Sequence, residues 1–384
     1  MVSFFSGLKN KKSGGFPVMS IAQKKGKNQQ KKDIFTENDE LKRKNAEVSE
    51  YMADMLKSGI ISDTTFQKVS SCADFMRFLH GVEVEAGTGV ILKEDKKVVT
   101  QASFCQNRFC PRCSKGKAQK DAVLISTMTK YFESSGYAFI FLTLTVPNCQ
   151  GKVLSKTLSD MGSAFNLFMK YDQIQKAVKG YIRKTEVTYN KKTDSYHPHF
   201  HCLLAVRKSY FSSRDYIKRD GWLALWQKAT KDPSICQVDV RRAGKNGMEK
   251  AILELSKYMA KDSDYKESIE VFRTFYLSLK GKRLIVYGGC FKQARQMYEA
   301  GGLDAFKRQS YTEVEDYVTS RWHQDDKEYE NRVMRSSTLS DEDIDFINER
   351  LKKRKRILSR LDDGSLICSY VGRTTYGEDE DTDF

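Results

Sequence analysis

The sequence predicts an α+β protein: an antiparallel sheet of about five strands with flanking helices, extended by helical segments at both ends. Two observations carry that expectation. Strand-like and helix-like segments alternate through the middle of the chain, which by itself would suit a doubly wound sheet. A hairpin interrupts the alternation, however, and a hairpin needs antiparallel neighbours. Its arms are residues 181–189 and 196–206, both rich in β-branched and aromatic side chains, joined by the polar linker 190–195.

Taken in order, residues 1–45 are rich in Lys, Gln, Asn, Ser and Gly without a sustained apolar period, the composition of a basic, disordered arm. From 46 to 79 the apolar residues Met52, Met55, Leu56, Phe66, Val69, Phe75, Phe78 and Leu79 recur mostly three or four apart, predicting helices. A cysteine-rich turn follows at 105–113. Residues 136–146 form an apolar, β-branched run closed by Pro147-Asn148, hence a central strand. A helix over 154–169, the hairpin, a helix over 222–229, a short strand over 237–241 and an amphipathic helix over 248–262 come next. The rest reads as mostly helical, highly charged around Glu349-Arg-Leu-Lys-Lys-Arg-Lys-Arg356, and ends in the acidic stretch 377–384.

Over 384 residues, Lys plus Arg number 66 against 50 Asp plus Glu, a net charge of +16 that points to a polyanionic partner such as nucleic acid. The first residues are too polar for a signal peptide, and no apolar run approaches the ~20 residues of a membrane span. A soluble, cytoplasmic protein with no membrane partner is expected. Nine cysteines in such a chain are better explained as thiols and metal ligands than as a disulfide framework.

The chemistry concentrates in His197-Pro198-His199-Phe200-His201, three of only five histidines at alternate positions of one strand. Alternate side chains share a face, so three imidazoles line one side while Phe200, Cys202 and Leu204 face the other. Pairing Tyr189 with Tyr196 across the linker puts Glu186 opposite His199, adding a carboxylate to the imidazoles. That mixed nitrogen and oxygen set suits a divalent ion with open positions. Position alone equally allows Glu186 to pair with Lys184 or Arg183 on a solvated face; the histidines favour the metal. In the helix over 248–262, Glu254, Tyr258 and Lys261 fall on one stripe, while Ile252, Leu255 and Met259 face the sheet. A phenol has an ordinary pKa of about 10, so a polarised phosphate and nearby lysines, Lys257 and Lys261, are the help it needs as a nucleophile.

Together these motifs resemble the HUH endonucleases, and among them the rolling-circle replication initiators of small bacterial plasmids. The resemblance spans roughly residues 100–295. It rests on Phe141-Leu-Thr-Leu-Thr-Val-Pro-Asn148, on His199-Phe200-His201, and on Lys257-Tyr258-Met-Ala-Lys261. It implies a ferredoxin- or RRM-like palm over 126–295, with His199, His201, Glu186 and His197 holding magnesium or manganese. It also implies that Tyr258 attacks single-stranded origin DNA, leaving a 5′-phosphotyrosine and a 3′-hydroxyl primer. Two-tyrosine members carry a second tyrosine where this chain has Glu254. The chain therefore resembles the branch with one tyrosine and a glutamate that directs water at termination. A host helicase and duplex origin DNA near the nick are the implied partners, with a dimer left open. An HUH transposase or relaxase shares the chemistry, although relaxases more often place the tyrosine near the amino terminus.

Cys105-Gln-Asn-Arg-Phe-Cys110-Pro-Arg-Cys113 holds a Cys-x-x-Cys knuckle with a third cysteine upstream, and Cys72 is the nearest candidate fourth ligand for a structural zinc. Arg108, Arg112, Lys115 and Lys117 surround it as candidate phosphate contacts, making 46–125 an expected DNA-binding region and 296–384 a helical, charged C-terminal one. A zinc-dependent DNA-binding protein without catalysis is the reading from another class. Tyr258 separates the two, because only an enzyme needs it.

Overall fold

The computed structural model describes residues 36–257 and 262–371. Its strands are β1 Phe75–Glu85, β2 Ile91–Ala102, β3 Tyr137–Thr145, β4 Val178–Asn190, β5 Ser195–Arg207, β6 Val238–Arg242, β7 Ile285–Gly289, β8 Ser310–His323, β9 Glu328–Arg335, β10 Arg356–Arg360 and β11 Leu366–Tyr370. Its helices are α1 Thr36–Lys57, α2 Asp63–Ser70, α3 Pro111–Ser134, α4 Gly151–Phe168, α5 Asp172–Ala177, α6 Arg219–Thr230, α7 Lys245–Ser256, α8 Asp262–Tyr265, α9 Ile269–Leu279, α10 Cys290–Ala300 and α11 Asp341–Leu351.

Five of these strands form one antiparallel sheet in the order β6-β3-β5-β4-β7, matching the expected α+β class and strand number. Both faces are covered, so β5 is apolar at nearly every position beyond its histidines. Phe200, Cys202 and Leu204 pack with Phe165 and Phe168 of α4 and with Trp222 and Trp226 of α6. Leu203 and Ala205 face the other way, with Phe139, Ile182, Ile125 and Met128 of α3, Leu255 of α7 and Phe291 of α10. Each fully buried large side chain contributes about 1.5–3 kcal/mol. The sheet is therefore a rigid platform for whatever its polar end carries.

The extensions differ from the helical expectation. A second antiparallel sheet runs β10-β11-β8-β1-β2, with β9 added to β8. Phe75, Phe78 and Leu79 lie in β1 rather than in a helix. Phe78 belongs to one apolar cluster and its neighbour Leu79 to another, across the sheet. A strand covered on both faces loses its alternation and imitates helical spacing. In β8, buried Thr312 and Val314 alternate with exposed Glu313 and Glu315 up to an irregularity in the ladder before Asp316. Alternation at this spacing is a strand signature. The segments 46–125 and 296–384 thus meet in one sheet, since β1 pairs with β8.

Two boundaries also move. Residues 36–45 of the expected arm belong to α1, whereas 1–35 and 377–384 lie outside the described residues. The 24-residue α3 was not anticipated.

Candidate active site

The hairpin register is the one the sequence implied: Tyr189 pairs with Tyr196 and Glu186 with His199. Thr143 of β3 lies opposite His201. The two-residue period then sets Thr143, Lys184, Glu186, His197, His199 and His201 on the face that packs against α3 and α7.

Glu186 Oε2 sits 3.1 Å from His201 Nε2 and 3.7 Å from His199 Nε2. The other nitrogens are already engaged. His199 Nδ1 is 3.2 Å from the carbonyl oxygen of His197, and His201 Nδ1 is 3.2 Å from Thr143 Oγ1. With each Nδ1–H donated to its acceptor, both Nε2 lone pairs and one carboxylate oxygen converge. The ring of Phe141 stacks on His201 at 5.5 Å and fixes its plane. Burial pushes the Glu186 carboxyl up, but where the proton of each imidazole sits on Nε2 instead, their hydrogen bonds and charge outweigh it and hold the group at about 2. Two imidazole nitrogens and one carboxylate fit a divalent ion that keeps positions open for substrate.

His197 shares the face but stands outside that three-donor group. Its ring is 5.4 Å from that of His199, and its Nδ1 meets Asn148 Oδ1 at 2.8 Å. Burial and then His199 lower its pKa.

Helix α7 lies over this face through Ala251 and Leu255. The expected single helix over 248–262 is corrected: α7 stops at Ser256, and Lys257 leaves helical conformation with φ −52° and ψ 167°. A buried lysine meets this exit. Lys184, two residues before Glu186, donates from Nζ to the Lys257 carbonyl oxygen at 2.9 Å. Burial lowers its pKa to about 8. The bland partner for Glu186 is therefore committed to the chain leaving α7. Glu254, half-exposed, pairs with Lys257 Nζ at 2.5 Å. Tyr258 and Lys261 lie outside the described residues. Tyr265, the next tyrosine along the chain, is only 3 % exposed, its ring against Phe109, Phe272 and Phe275 in the core.

The cysteine cluster assembles with all four proposed members. Cys72 Sγ lies 3.5 Å from those of Cys110 and Cys113, and Cys105 Sγ lies 3.6 Å from that of Cys113. Backbone N–H groups of Cys105, Gln106 and Asn107 donate to Sγ of Cys72, Cys113 and Cys105 at 3.2–3.4 Å. Neighbouring thiols, Cys105 foremost, hold Cys113 well below its ordinary pKa while pushing Cys110 up. Ala73 and Gln106, each following a cysteine, adopt positive φ of 64° and 57°. Such conformations cost about 1–3 kcal/mol and persist where the surroundings impose them.

The basic residues near the cluster mostly make contacts within the fold. Arg108 donates to the carbonyl oxygens of Leu279 and Lys282 at 2.8 and 3.3 Å. Arg112 lies over the Phe104 ring at 5.2 Å, and Lys115 is paired with Glu37. Lys117 projects outward, 71 % exposed, with Asp121 beside it at 3.0 Å.

Thr143, Asn148 and Lys184 were not named as site residues in the sequence. Alternation was the available signal for Thr143 and Lys184, because both share the face of Glu186 and His201. Their partners depend on neighbouring strands and on α7, which no local pattern reports.

With this geometry in place, comparison with known proteins decides the family. The Rep_1 replication protein family matches residues 96–332. The chain belongs to that family. A "Protein rep" of Staphylococcus aureus is 39% identical over 207 residues, covering 53% of this chain and 86% of that protein. One from Streptococcus pneumoniae serotype 2 is 31% identical over 261 residues, 66% of this chain and 78% of its own. Another, from Lactiplantibacillus plantarum, is 31% identical over 310 residues, 74% and 91% of the two chains. No solved structure matches. Membership bears out the resemblance to rolling-circle plasmid replication initiators. No helix among the described residues is long and apolar enough to cross a membrane.

Proposed function

We propose that this replication initiator nicks one strand of its plasmid origin, in the cytoplasm, by transesterification. The Tyr258 phenolic oxygen attacks the phosphorus of one phosphodiester, forming a 5′-phosphotyrosine. The P–O3′ bond breaks, and the 3′ oxygen leaves as a hydroxyl that primes synthesis. Glu186, His199 and His201 hold the divalent ion, magnesium or manganese, with His197 at the margin. When bound, that ion supplies Lewis-acid polarisation of a phosphoryl oxygen. Lys257 and Lys261 balance phosphate charge. At the end of a round Glu254 takes a proton from the water that attacks phosphorus, and the P–O3′ bond at that position breaks to leave a 5′-phosphate and a 3′-hydroxyl.

The observation that carries this reading is the convergence of two imidazole Nε2 atoms on one carboxylate, 3.1 and 3.7 Å away, beneath the helix that leads into Tyr258. The four-cysteine set is read as a structural zinc, and the outward Lys117 as a contact to duplex DNA. A host helicase is the expected partner, and self-association to a dimer is open to direct measurement.

The test is incubation with supercoiled plasmid carrying the origin, followed by denaturing detection of a covalent protein–DNA adduct. The native chain forms it and Tyr258→Phe does not, although both bind the origin. An adduct that survives in Tyr258→Phe overturns the assignment of the nucleophile. Binding without any adduct from the native chain returns the protein to the non-catalytic class.

A further inference from the structure

The six-stranded sheet carries its own group of metal-ligating side chains, unconnected with the nicking chemistry. His80 lies on β1, Asp95 on β2, and Glu315 and Asp316 on β8. Asp316 Oδ2 is 3.2 Å and Glu315 Oε2 3.9 Å from His80 Nδ1, while Asp95 Oδ1 is 3.6 Å from His80 Nε2. We propose that His80 Nδ1, Glu315 and Asp316 form a second divalent-cation site, with Asp95 orienting the imidazole.

A local irregularity brings two successive acids to one histidine. In the β1–β8 ladder His80 pairs with Asp316 but Gly81 pairs with Val314, so Glu315 is an extra residue in a bulge. Regular alternation would send Glu315 and Asp316 to opposite faces; a bulge re-aims a side chain. Gly81 makes the close approach feasible, because a Cβ there would fall 1.8 Å from the Glu313 carbonyl oxygen. Any side chain at 81 would force these strands apart.

Charge then demands a cation. His80 is 6 % exposed, and neither its Nε2 nor Asp95 Oδ1 has a hydrogen-bond partner among the described residues. Arg335 occupies the far oxygen of Asp316, Oδ1, at 3.0 Å and leaves Oδ2 free to face the histidine. Three carboxylates thus surround one imidazole, and the Arg335 guanidinium pairs with one of them. A neutral imidazole has one N–H, so one of its lone pairs would face a carboxylate, a costly buried contact. A cation on Nδ1 uses that lone pair together with both acids, and the freed Nε2–H donates to Asp95. This is the carboxylate–histidine–metal arrangement that orients and strengthens a ligand imidazole. One nitrogen with carboxylate oxygens suits manganese or zinc better than a soft ion.

A second proton on His80 is the competing source of charge. An imidazolium would serve Asp316 and Asp95 from its two N–H groups and would have no need of Glu315. Glu315 is exposed, so its substitution spares the fold, and it is required only by a cation.

The probe is Mn2+, which oxygen and nitrogen donors bind and the thiolate cluster does not favour. The protein is the full chain bearing His199→Ala and His201→Ala, which removes the site of the proposed nicking reaction. Electron paramagnetic resonance of free Mn2+ should show one ion retained per chain. Glu315→Gln should weaken retention about tenfold or more, and Asp95→Asn by about 10–100-fold. Mn2+ should raise the unfolding temperature of the parent but not of Glu315→Gln. Failure of the double-histidine chain to retain Mn2+ overturns the proposal. Equal retention in Glu315→Gln overturns it too, because the retained ion then does not use Glu315. Neither result bears on nicking.

Discussion

For single side chains, the decisive matter is which nitrogen of each imidazole is already taken. The carbonyl of His197 and the hydroxyl of Thr143 engage the two Nδ1 atoms, so Nε2 is the atom each ring offers. Thr143→Val keeps the shape and removes the acceptor behind His201. The Mn2+ concentration for half-maximal nicking should rise about 10–100-fold, measured on an origin oligonucleotide, with little change in the maximal rate. Replacing the proposed ligands is more severe: His199→Ala or His201→Ala should abolish nicking while duplex binding persists, and His197→Ala should be milder. Lys184 acts differently, since it touches the chain just before Tyr258 and no ligand directly. Lys184→Met loses that hydrogen bond while keeping most of the volume. The maximal nicking rate should fall at least about tenfold, by the cost of misplacing a reacting group. Its metal requirement should stay at the native value; a shift there would mean that Lys184 works through the charge of Glu186 instead.

Among the elements, the most consequential departure from the sequence pattern is the end of α7 at Ser256. A continuous helix would stack Glu254 under Tyr258 at i and i+4, whereas α7 ends two residues before Tyr258. Glu254 is therefore placed by its ion pair with Lys257 and not by the turn above it. Glu254→Ala should still nick but should lose water-directed termination, giving plasmid products longer than one unit on a gel. Clean termination would leave this carboxylate as a surface partner of the lysine. The hairpin was legible in the sequence down to its register, because apolar alternation and a short polar linker are local signals. Strand β1 was not, since it is apolar on both faces, whereas β8 carries a strand alternation up to its irregularity before Asp316. Helix α11 carries a plainly local signal: Ser340 accepts from the Asp343 N–H, and the Asp343 carboxylate accepts in return from the Ser340 N–H. Ser340→Ala should cost about 1 kcal/mol in denaturant unfolding and leave nicking unchanged.

Across the whole molecule the cysteine cluster occupies the joint between the two sheets. Cys72 leads into β1 and Cys105 follows β2, both in the six-stranded sheet, whereas Cys110 and Cys113 begin α3, which packs on the sheet bearing the histidines. Four thiols within 3.5–3.6 Å contacts, with backbone N–H groups aimed at three of the sulfurs, are arranged for thiolates. Thiolates that close need a cation between them, and tetrahedral zinc is the natural one. Elemental analysis should find one zinc per chain held by this cluster. Cys110→Ser should lose it, at a cost of about 4 kcal/mol or more, the range reached when a structural metal is removed. The lesion should appear as a lower unfolding midpoint and as early proteolysis around residues 103–110, where the backbone is tied mainly to the sulfurs. At low temperature, once the zinc has been stripped and Mn2+ restored, nicking of a short single strand should recover, because the hairpin and β3 keep their own packing against α4 and α6. A folded chain without zinc that melts identically before and after chelation would remove the metal from the joint and leave four packed thiols in its place.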